Sequence, residues 1–99
     1  MNNSNLIVMT TSKAKPGKEQ EVLQALRDVA KAARAQAGCV DCRIFCSTED
    51  TAVTVNFERW SSKEERDAFL AGPDVVKFIA AVSDAFAQSP QPVSYQEIE

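Results

Sequence analysis

Residues 53–60 show the pattern of a half-buried β-strand, because their side chains alternate in character with a period of two. Side chains two residues apart share a face of a strand. One face carries Val53, Val55, Phe57 and Arg59. The other face carries Thr54, Asn56, Glu58 and Trp60. The pattern therefore predicts one largely apolar face and one face on which polar groups accompany an indole.

Similar patterns predict three further strands. Residues 6–12 begin apolar on both faces, which suits a central strand that is covered on two sides. Residues 40–48 alternate as well, and the polar turn after them is expected to fold them back as a hairpin onto 52–60. Residues 93–98 are predicted to form a short last strand, and the prolines just before it favour an edge or strand-start position.

Helical spacing of apolar residues predicts the remaining elements. One helix is expected over residues 18–36. A second is expected over 62–70, opened by a capping box of Ser61 and Glu64. Pro73 is well placed to start another helical piece after a break. The buried stripe of that piece is predicted to be Val75, Ile79, Val82 and Phe86.

The resulting order is β-α-β-β-α-β, which predicts an α+β, ferredoxin-like fold in which helices cover one face of an antiparallel sheet. Residues 1–99 are predicted to form a single domain, with a flexible polar start at 1–5. The other sheet face would be exposed and apolar. We assign the valine–phenylalanine face to a partner subunit, which predicts a homodimer, and the face with Asn56 and Trp60 to the helices.

The helix-facing side of residues 53–60 is too polar for a dry core. Unpaired buried polar groups cost ~1–3 kcal/mol each, so Thr54, Asn56 and Glu58 make better sense lining a wet or ligand-filled pocket. The alternative interpretation is that Trp60 is a core residue and Asn56 a hydrogen-bonded polar group of the strand.

Composition excludes several classes of function. A hydrophobic content of 44%, a charged content of 25% and a net charge of −3 are ordinary for a globular protein. The sequence has no basic stripe, so nucleic-acid binding is not expected. The sequence has no signal-peptide pattern and no long apolar run. We therefore expect a cytoplasmic location without membrane association. The chain contains no histidine, which removes the commonest general base and metal ligand.

Three cysteines remain, Cys39, Cys42 and Cys46. On a strand, Cys42 and Cys46 would lie roughly 13 Å apart, beyond the ~7 Å limit for a disulfide. Three thiols without a histidine are also an incomplete zinc set. We therefore expect free thiols and no metal site.

The chain resembles the antibiotic biosynthesis monooxygenase (ABM) type of dimeric α/β-barrel protein. The resemblance covers nearly the whole length and depends on the order and spacing of short segments. These are KPGK at 15–18, AGC at 37–39, FERWSSKE at 57–64, AGP at 71–73 and YQEI at 95–98. It implies a dimer of ferredoxin-like subunits that closes into a barrel.

The resemblance also implies candidate chemistry. Asn56 and Trp60 are similar to the pocket residues of the cofactor-independent polyketide monooxygenases of this family. Several relatives carry histidines at the positions of Phe69 and Asp74, so haem degradation and histidine-dependent isomerisation are disfavoured here. A tyrosine of the polyketide enzymes corresponds to Arg66.

We therefore expect a monooxygenase that uses O2 on a small phenol, quinol or polyketide-like substrate without a cofactor. Asn56 would hydrogen-bond the substrate oxygen or peroxide, and Trp60 would form a wall against the ring. Arg66, Phe69 and Glu58 are candidate substrate-binding residues; for Arg66 and Phe69 the alternatives are an exposed helix charge and core packing. Two other functions stay open: a non-catalytic dimeric small-ligand-binding or pathway accessory protein, and an isomerase of the same family.

Overall fold

The structure, a computed structural model, describes residues 5–99 as a four-stranded antiparallel sheet with three helices. The elements follow in the order β1 (Leu6–Ala14), α1 (Glu19–Arg34), β2 (Cys39–Cys46), β3 (Val53–Trp60), α2 (Lys63–Leu70), α3 (Pro73–Val82) and β4 (Phe86–Tyr95). The fold is α+β and ferredoxin-like, as the sequence predicts. The prediction of a flexible start at 1–5 lies outside the described residues, except for Asn5, which is exposed.

The sheet has the strand order β2-β3-β1-β4, so β1 and β3 are central and β2 and β4 are edges. Thr10 lies opposite Asn56 in the β1–β3 pair, and Met9 lies opposite Phe57. Opposite residues of an antiparallel pair project to the same side of the sheet. The register therefore places the polar residues of β1 and β3 together on the helix-covered face, as the parity assignment predicts.

The last strand differs from the prediction. It begins at Phe86, ends at Tyr95 and contains both Pro90 and Pro92, whereas the sequence pattern predicted residues 93–98. The strand pairs only with β1, and the pairing carries register shifts near Lys13. An edge strand has one side free of ladder hydrogen bonds, so it accommodates proline, which lacks the N–H group.

The helical region after β3 also differs from the prediction. The cap of α2 is Ser62, whose Oγ accepts a hydrogen bond from Glu65 N at 3.2 Å; the predicted box began one residue earlier. In α3 the predicted stripe is half correct, because Val75 and Val82 are buried while Ile79 is 56% exposed. Phe86, the last member of the predicted stripe, belongs to β4. No helix within residues 5–99 is long and apolar enough to cross a membrane.

Two turns and a bulge set the remaining geometry. Gly17 has φ +84° in the turn before α1, a conformation that glycine adopts without strain. Ser47 Oγ accepts hydrogen bonds from Glu49 N and Asp50 N, both at 3.1 Å, in the turn of the predicted β2–β3 hairpin. A register shift between Cys39 and Asp41 makes Val40 a bulge in β2. Val40 is exposed, so it projects away from the core rather than sharing a face with Cys42.

The buried apolar residues form two clusters rather than one continuous core. One cluster contains Ala14, Val22, Leu26, Val82 and Ala85. The other contains Ala30, Ala33, Cys42 and Trp60. Helix α1 contributes to both of them, so it spans the space between the clusters on the helix-covered side of the sheet.

The opposite face of the sheet, which we call the open face, is rich in apolar side chains. Its exposed members are Met9, Phe45, Val93 and Tyr95. They surround the half-buried Val53, Val55 and Phe57 of β3. Helix α1 packs against Trp60 on the other face, so the assignment of the helices to that face is confirmed.

Candidate functional site

A cavity of about 370 Å³ lies between the helices and the sheet. Its lining combines residues of both core clusters with residues of every helix. The lining residues are Thr10, Ser12, Leu26, Val29, Ala30, Ala33, Cys42, Asn56, Glu58, Arg66, Phe69, Leu70, Val75, Phe78, Ile79, Pro90 and Pro92. The volume is near the small end of the range for ligand pockets, ~300–1,000 Å³.

The side chains of α1 leave room for this cavity. The buried residues of α1 are Val22, Leu26, Ala30 and Ala33, which follow one another at helical spacing. The side chains that face the sheet therefore shrink from leucine to alanine along the helix. Because protein interiors normally pack without voids larger than a water molecule, this shortening leaves a gap above the sheet. Residues of α2 and α3 also line this gap.

The floor of the cavity is polar. Thr10 and Ser12 of β1 and Asn56 of β3 are adjacent in the sheet and line the cavity. Asn56 Oδ1 is buried and has no hydrogen-bond partner within residues 5–99. The alternative interpretation, a hydrogen-bonded amide of the strand, is therefore not met at Oδ1, and this oxygen retains hydrogen-bonding capacity for a ligand.

Glu58 is the centre of a three-residue hydrogen-bond network at the cavity wall. Its Oε1 accepts a hydrogen bond from Trp60 Nε1 at 2.8 Å and another from Arg66 Nε at 3.1 Å. Both bonds end on the same oxygen, so Oε2 is the carboxylate oxygen left for other contacts. The side chains of Arg66 and Glu58 are only 15% and 13% exposed, so this ion pair is largely removed from solvent.

Trp60 lies in the core, as the alternative interpretation of the sequence has it, and not at the surface of the cavity. The indole is 0% exposed and packs with Ala30, Ala33 and Cys42 in the core, and it is not among the residues that line the cavity. The expected role as a wall against the substrate ring is therefore corrected: Trp60 is a core residue that positions Glu58. Phe69 takes the place of the wall, because it lines the cavity and its ring centroid lies 5.5 Å from that of Trp60.

Cys42 contributes a neutral thiol to the lining. Burial, together with the negative charge of Glu58 opposite it in the sheet, raises the pKa of Cys42 from 9.0 to about 12. Burial and the charge of Glu58 also raise the pKa of Cys39. All three cysteines are free thiols, as expected.

Several lining residues were not predicted from the sequence. Thr10 and Ser12 carry a period-two signal in β1, but their place beside Asn56 depends on the strand register. The two prolines of β4 belong to a strand that the pattern predicted to begin after them. Of the predicted site residues, the structure brings Asn56, Glu58, Arg66 and Phe69 together around the cavity.

The arrangement defines a class of protein: a small ferredoxin-like domain with a partly open, mostly apolar cavity and a few convergent polar groups, which is the composition of small-molecule sites. The profile of the family described as "Antibiotic biosynthesis monooxygenase" matches residues 5–81. The chain therefore belongs to the ABM family, as its resemblance implied.

Solved structures show the same fold at low sequence identity. A Nitrosomonas europaea protein that carries the same family name has a TM-score of 0.92 and 16% identity, with 99% of this chain and 94% of that chain covered. A Pseudomonas aeruginosa protein has a TM-score of 0.91 and 17% identity, covering 97% and 96%. A Mycobacterium tuberculosis protein has a TM-score of 0.89 and 19% identity, covering 97% of each chain. No curated protein matches this sequence.

Proposed function

We propose that the chain is a cofactor-independent monooxygenase that oxidises a small electron-rich phenol, quinol or polyketide-like molecule with O2 in the cavity beneath α1. The observation that carries this proposal is the amide of Asn56, which lies on the polar floor of a mostly apolar cavity and has a buried oxygen without a partner within residues 5–99. Membership of the ABM family supports the reaction class.

The proposed reaction needs no electron donor other than the substrate. Loss of a proton from the substrate gives an anion whose carbon transfers electrons to O2 and forms a C–O bond, and protonation gives a hydroperoxide. Loss of water from the hydroperoxide converts a methylene group of the substrate to a carbonyl group. One oxygen atom of O2 enters the product as the carbonyl oxygen, and the other leaves as water together with the two hydrogens of the methylene group.

The residues then act by position and electrostatics. The free acceptor Oδ1 of Asn56 binds the hydroxyl group of the neutral substrate, and the Nδ2–H2 group of the same amide is the donor that stabilises the substrate oxygen as negative charge develops on it. Phe69 and the aliphatic side chains of α1 and α3 hold the ring. Glu58 and Arg66 line the cavity next to its polar floor. Trp60 holds the carboxylate of Glu58 in place through the hydrogen bond from its indole N–H.

The homodimer is part of the proposal. Four exposed apolar side chains on the open face, Met9, Phe45, Val93 and Tyr95, make a patch of the kind that mediates subunit contacts. Two such sheets packed face to face would close into the barrel that the family resemblance implies. The helix-covered cavity would remain accessible in such a dimer, because it lies on the other side of the sheet.

A second function, binding without catalysis, is favoured by two features. The chain has no histidine, and the one carboxylate in the cavity lining already accepts two hydrogen bonds on one oxygen. A pathway accessory protein that carries a small apolar ligand would use the same cavity.

Oxygen consumption separates the two functions. Purified protein is mixed with a panel of hydroquinones, naphthols and anthrone-type substrates, and O2 uptake is followed alongside the change in melting temperature. The monooxygenase proposal expects stoichiometric O2 uptake that requires the folded protein and is about tenfold or more slower in Asn56→Ala. Ligand-induced stabilisation without O2 uptake across the panel would favour the binding function instead.

A further inference from the structure

The charges that line the cavity carry an inference about ligand selection. Of the lining residues, all of which lie within residues 5–99, Glu58 is the acidic one and Arg66 is the basic one. The thiol of Cys42 stays protonated at neutral pH, because burial raises its pKa to about 12. The lining as a whole is therefore electrically neutral.

The two charges are already committed to each other. Arg66 Nε lies 3.1 Å from Glu58 Oε1, and both side chains are largely removed from solvent. The third partner of the network is the indole N–H of Trp60, which also donates to Oε1. Separating a pair of this kind leaves one buried charge without compensation, which is strongly unfavourable.

We propose that the Glu58–Arg66 pair makes the cavity selective for uncharged aromatic ligands and rejects their anionic analogues. This inference rests on the proposed function, in that the ligand is taken to occupy the cavity. An anionic ligand would have to recruit Arg66 away from Glu58 or lie in the apolar cavity without a counter-charge, and either course costs desolvation energy. A neutral ligand leaves the pair intact and uses Asn56, Thr10 and Ser12 for its polar edge.

The pair also makes the selectivity switchable. Replacing Glu58 by glutamine keeps the shape of the side chain and its capacity to accept a hydrogen bond but removes its charge. Arg66 then lines the cavity as an uncompensated cation, so an anionic ligand becomes the favoured one. Replacing Arg66 by glutamine has the opposite consequence, because the carboxylate of Glu58 is left without its partner.

The test compares three probes of the same ring system: 2-naphthol (neutral at pH 7), 2-naphthoate and 2-naphthylmethylammonium. Dissociation constants are measured by calorimetry for the wild type, Glu58→Gln and Arg66→Gln. Asp67→Asn is the matched control, because Asp67 also forms an ion pair on α2, with Lys63, but does not line the cavity. Val29→Trp, which fills the cavity from α1, reports where the probes bind.

We expect the wild type and Asp67→Asn to bind 2-naphthol at least about tenfold more tightly than 2-naphthoate. Glu58→Gln should reverse that order, and Arg66→Gln should gain affinity for the ammonium probe. Charge selection is overturned if the wild type binds 2-naphthoate with a dissociation constant within about threefold of that for 2-naphthol. The cavity is still the binding site in that case, provided that Val29→Trp abolishes the binding of 2-naphthol. Charge selection is also overturned if Glu58→Gln still prefers 2-naphthol to 2-naphthoate. If Glu58→Gln does not fold, the affinity of Arg66→Gln for the ammonium probe decides the question.

Failure of the proposed function gives a different result. If no probe binds, or if Val29→Trp binds 2-naphthol as tightly as the wild type, then the cavity is not the ligand site. Both proposals then fall together. Circular dichroism and melting curves on each variant establish that it is folded before its binding is compared.

Discussion

Trp60 and Glu58 lie two residues apart on the same face of β3, and the indole Nε1–H of Trp60 donates a hydrogen bond of 2.8 Å to Glu58 Oε1. The indole is completely buried, whereas the carboxylate reaches the cavity. A core residue is thereby linked to a residue of the candidate site. The link predicts that changes at the two positions are not independent.

Trp60→Phe should destabilise the fold by about 2–4 kcal/mol, because a hydrogen bond to a charged group is worth ~1.5–3 kcal/mol and the smaller ring leaves a gap. Part of this cost should vanish when Glu58→Gln is already present. The two changes should therefore show a coupling of at least ~0.5 kcal/mol in a double-mutant cycle measured by urea unfolding. Strict additivity would show that the indole contributes packing alone.

Asn56→Ala should reduce ligand affinity or turnover by about tenfold or more, which is what loss of one oriented hydrogen bond costs. Its stability should change by less than ~1 kcal/mol, because the amide that is removed contains a buried oxygen with no partner among residues 5–99. Titration of a ligand and thermal unfolding of the same samples measure both effects.

Thr54→Val is the matched control for that substitution. Thr54 Oγ1 is also buried without a partner within residues 5–99, but Thr54 does not line the cavity. We expect Thr54→Val to be neutral or stabilising by up to ~1 kcal/mol and to bind ligand like the wild type. If Asn56→Ala lost stability but kept its ligand affinity, Asn56 would be a structural residue and the site assignment would be wrong.

The open face is predicted to hold two copies of the chain together. Phe45 is 54% exposed at the edge of that face, and Phe45→Glu should produce a monomer at micromolar concentration, measured by sedimentation. Val76→Glu is the control, since Val76 is 59% exposed on α3, on the helix side of the sheet. A wild type that sediments as a monomer, or a dimer that survives Phe45→Glu, would contradict this interface.

Parts of the fold and site were predictable because their signals are local. The alternation over 53–60 located β3 at its observed bounds, Val53–Trp60, and its parity placed Asn56 toward the helices. The strand β4 was harder, because Pro90 and Pro92 resemble loop residues and only an edge position makes them compatible with a sheet. The period-two pattern of that segment is correspondingly weak.

The site depended on information that no local pattern contains. Whether Trp60 lines the cavity or packs behind it is decided by how closely α1 and α2 approach β3. The contact of Arg66 with Glu58 joins a helix to a strand, and the place of Thr10 in the floor depends on the β1–β3 register. Side-chain types indicated a polar pocket, but only tertiary packing determined which of them face it.

Cys42 predicts a loss of stability at alkaline pH. Burial raises the pKa of its thiol from 9.0 to about 12 in the folded state, so the unfolded chain loses the proton first as the pH rises. Its contribution to stability is present below pH 9 and is lost between pH 9 and about 12. The slope for one such group is at most about 1.4 kcal/mol per pH unit.

Urea unfolding of the wild type and Cys42→Ala at about pH 8 and about pH 10.5, on either side of the ordinary thiol pKa, measures this contribution. The wild type should lose more stability across that interval than the variant does. Cys39 and other groups that titrate there are common to both proteins, so the comparison isolates Cys42. Parallel losses would show that the thiol is not desolvated in the folded state.

The pH dependence of turnover should follow the substrate rather than the protein. The chain contains no imidazole, so the ascending limb of kcat/KM must come from the substrate hydroxyl, from a thiol or from a carboxylate. The thiol of Cys42 is excluded near neutral pH by its raised pKa, about 12. The carboxylate in the cavity lining, Glu58, has one oxygen occupied by two donors. We therefore expect the substrate's own ionisation to control the limb.

A series of ring-substituted substrates with different phenolic pKa values tests this expectation, because kcat/KM reports the ionisation of free enzyme and free substrate. The limb should move with the substrate pKa and should keep its position in Glu58→Gln, even if the overall rate falls. The matched Asp67→Asn variant should behave like the wild type in both respects. A limb that stays fixed across the series and disappears in Glu58→Gln would identify Glu58 as the general base. Asn56 would then act on an anion that the protein generates, and the substrate proton would pass to Glu58 inside the cavity rather than to solvent.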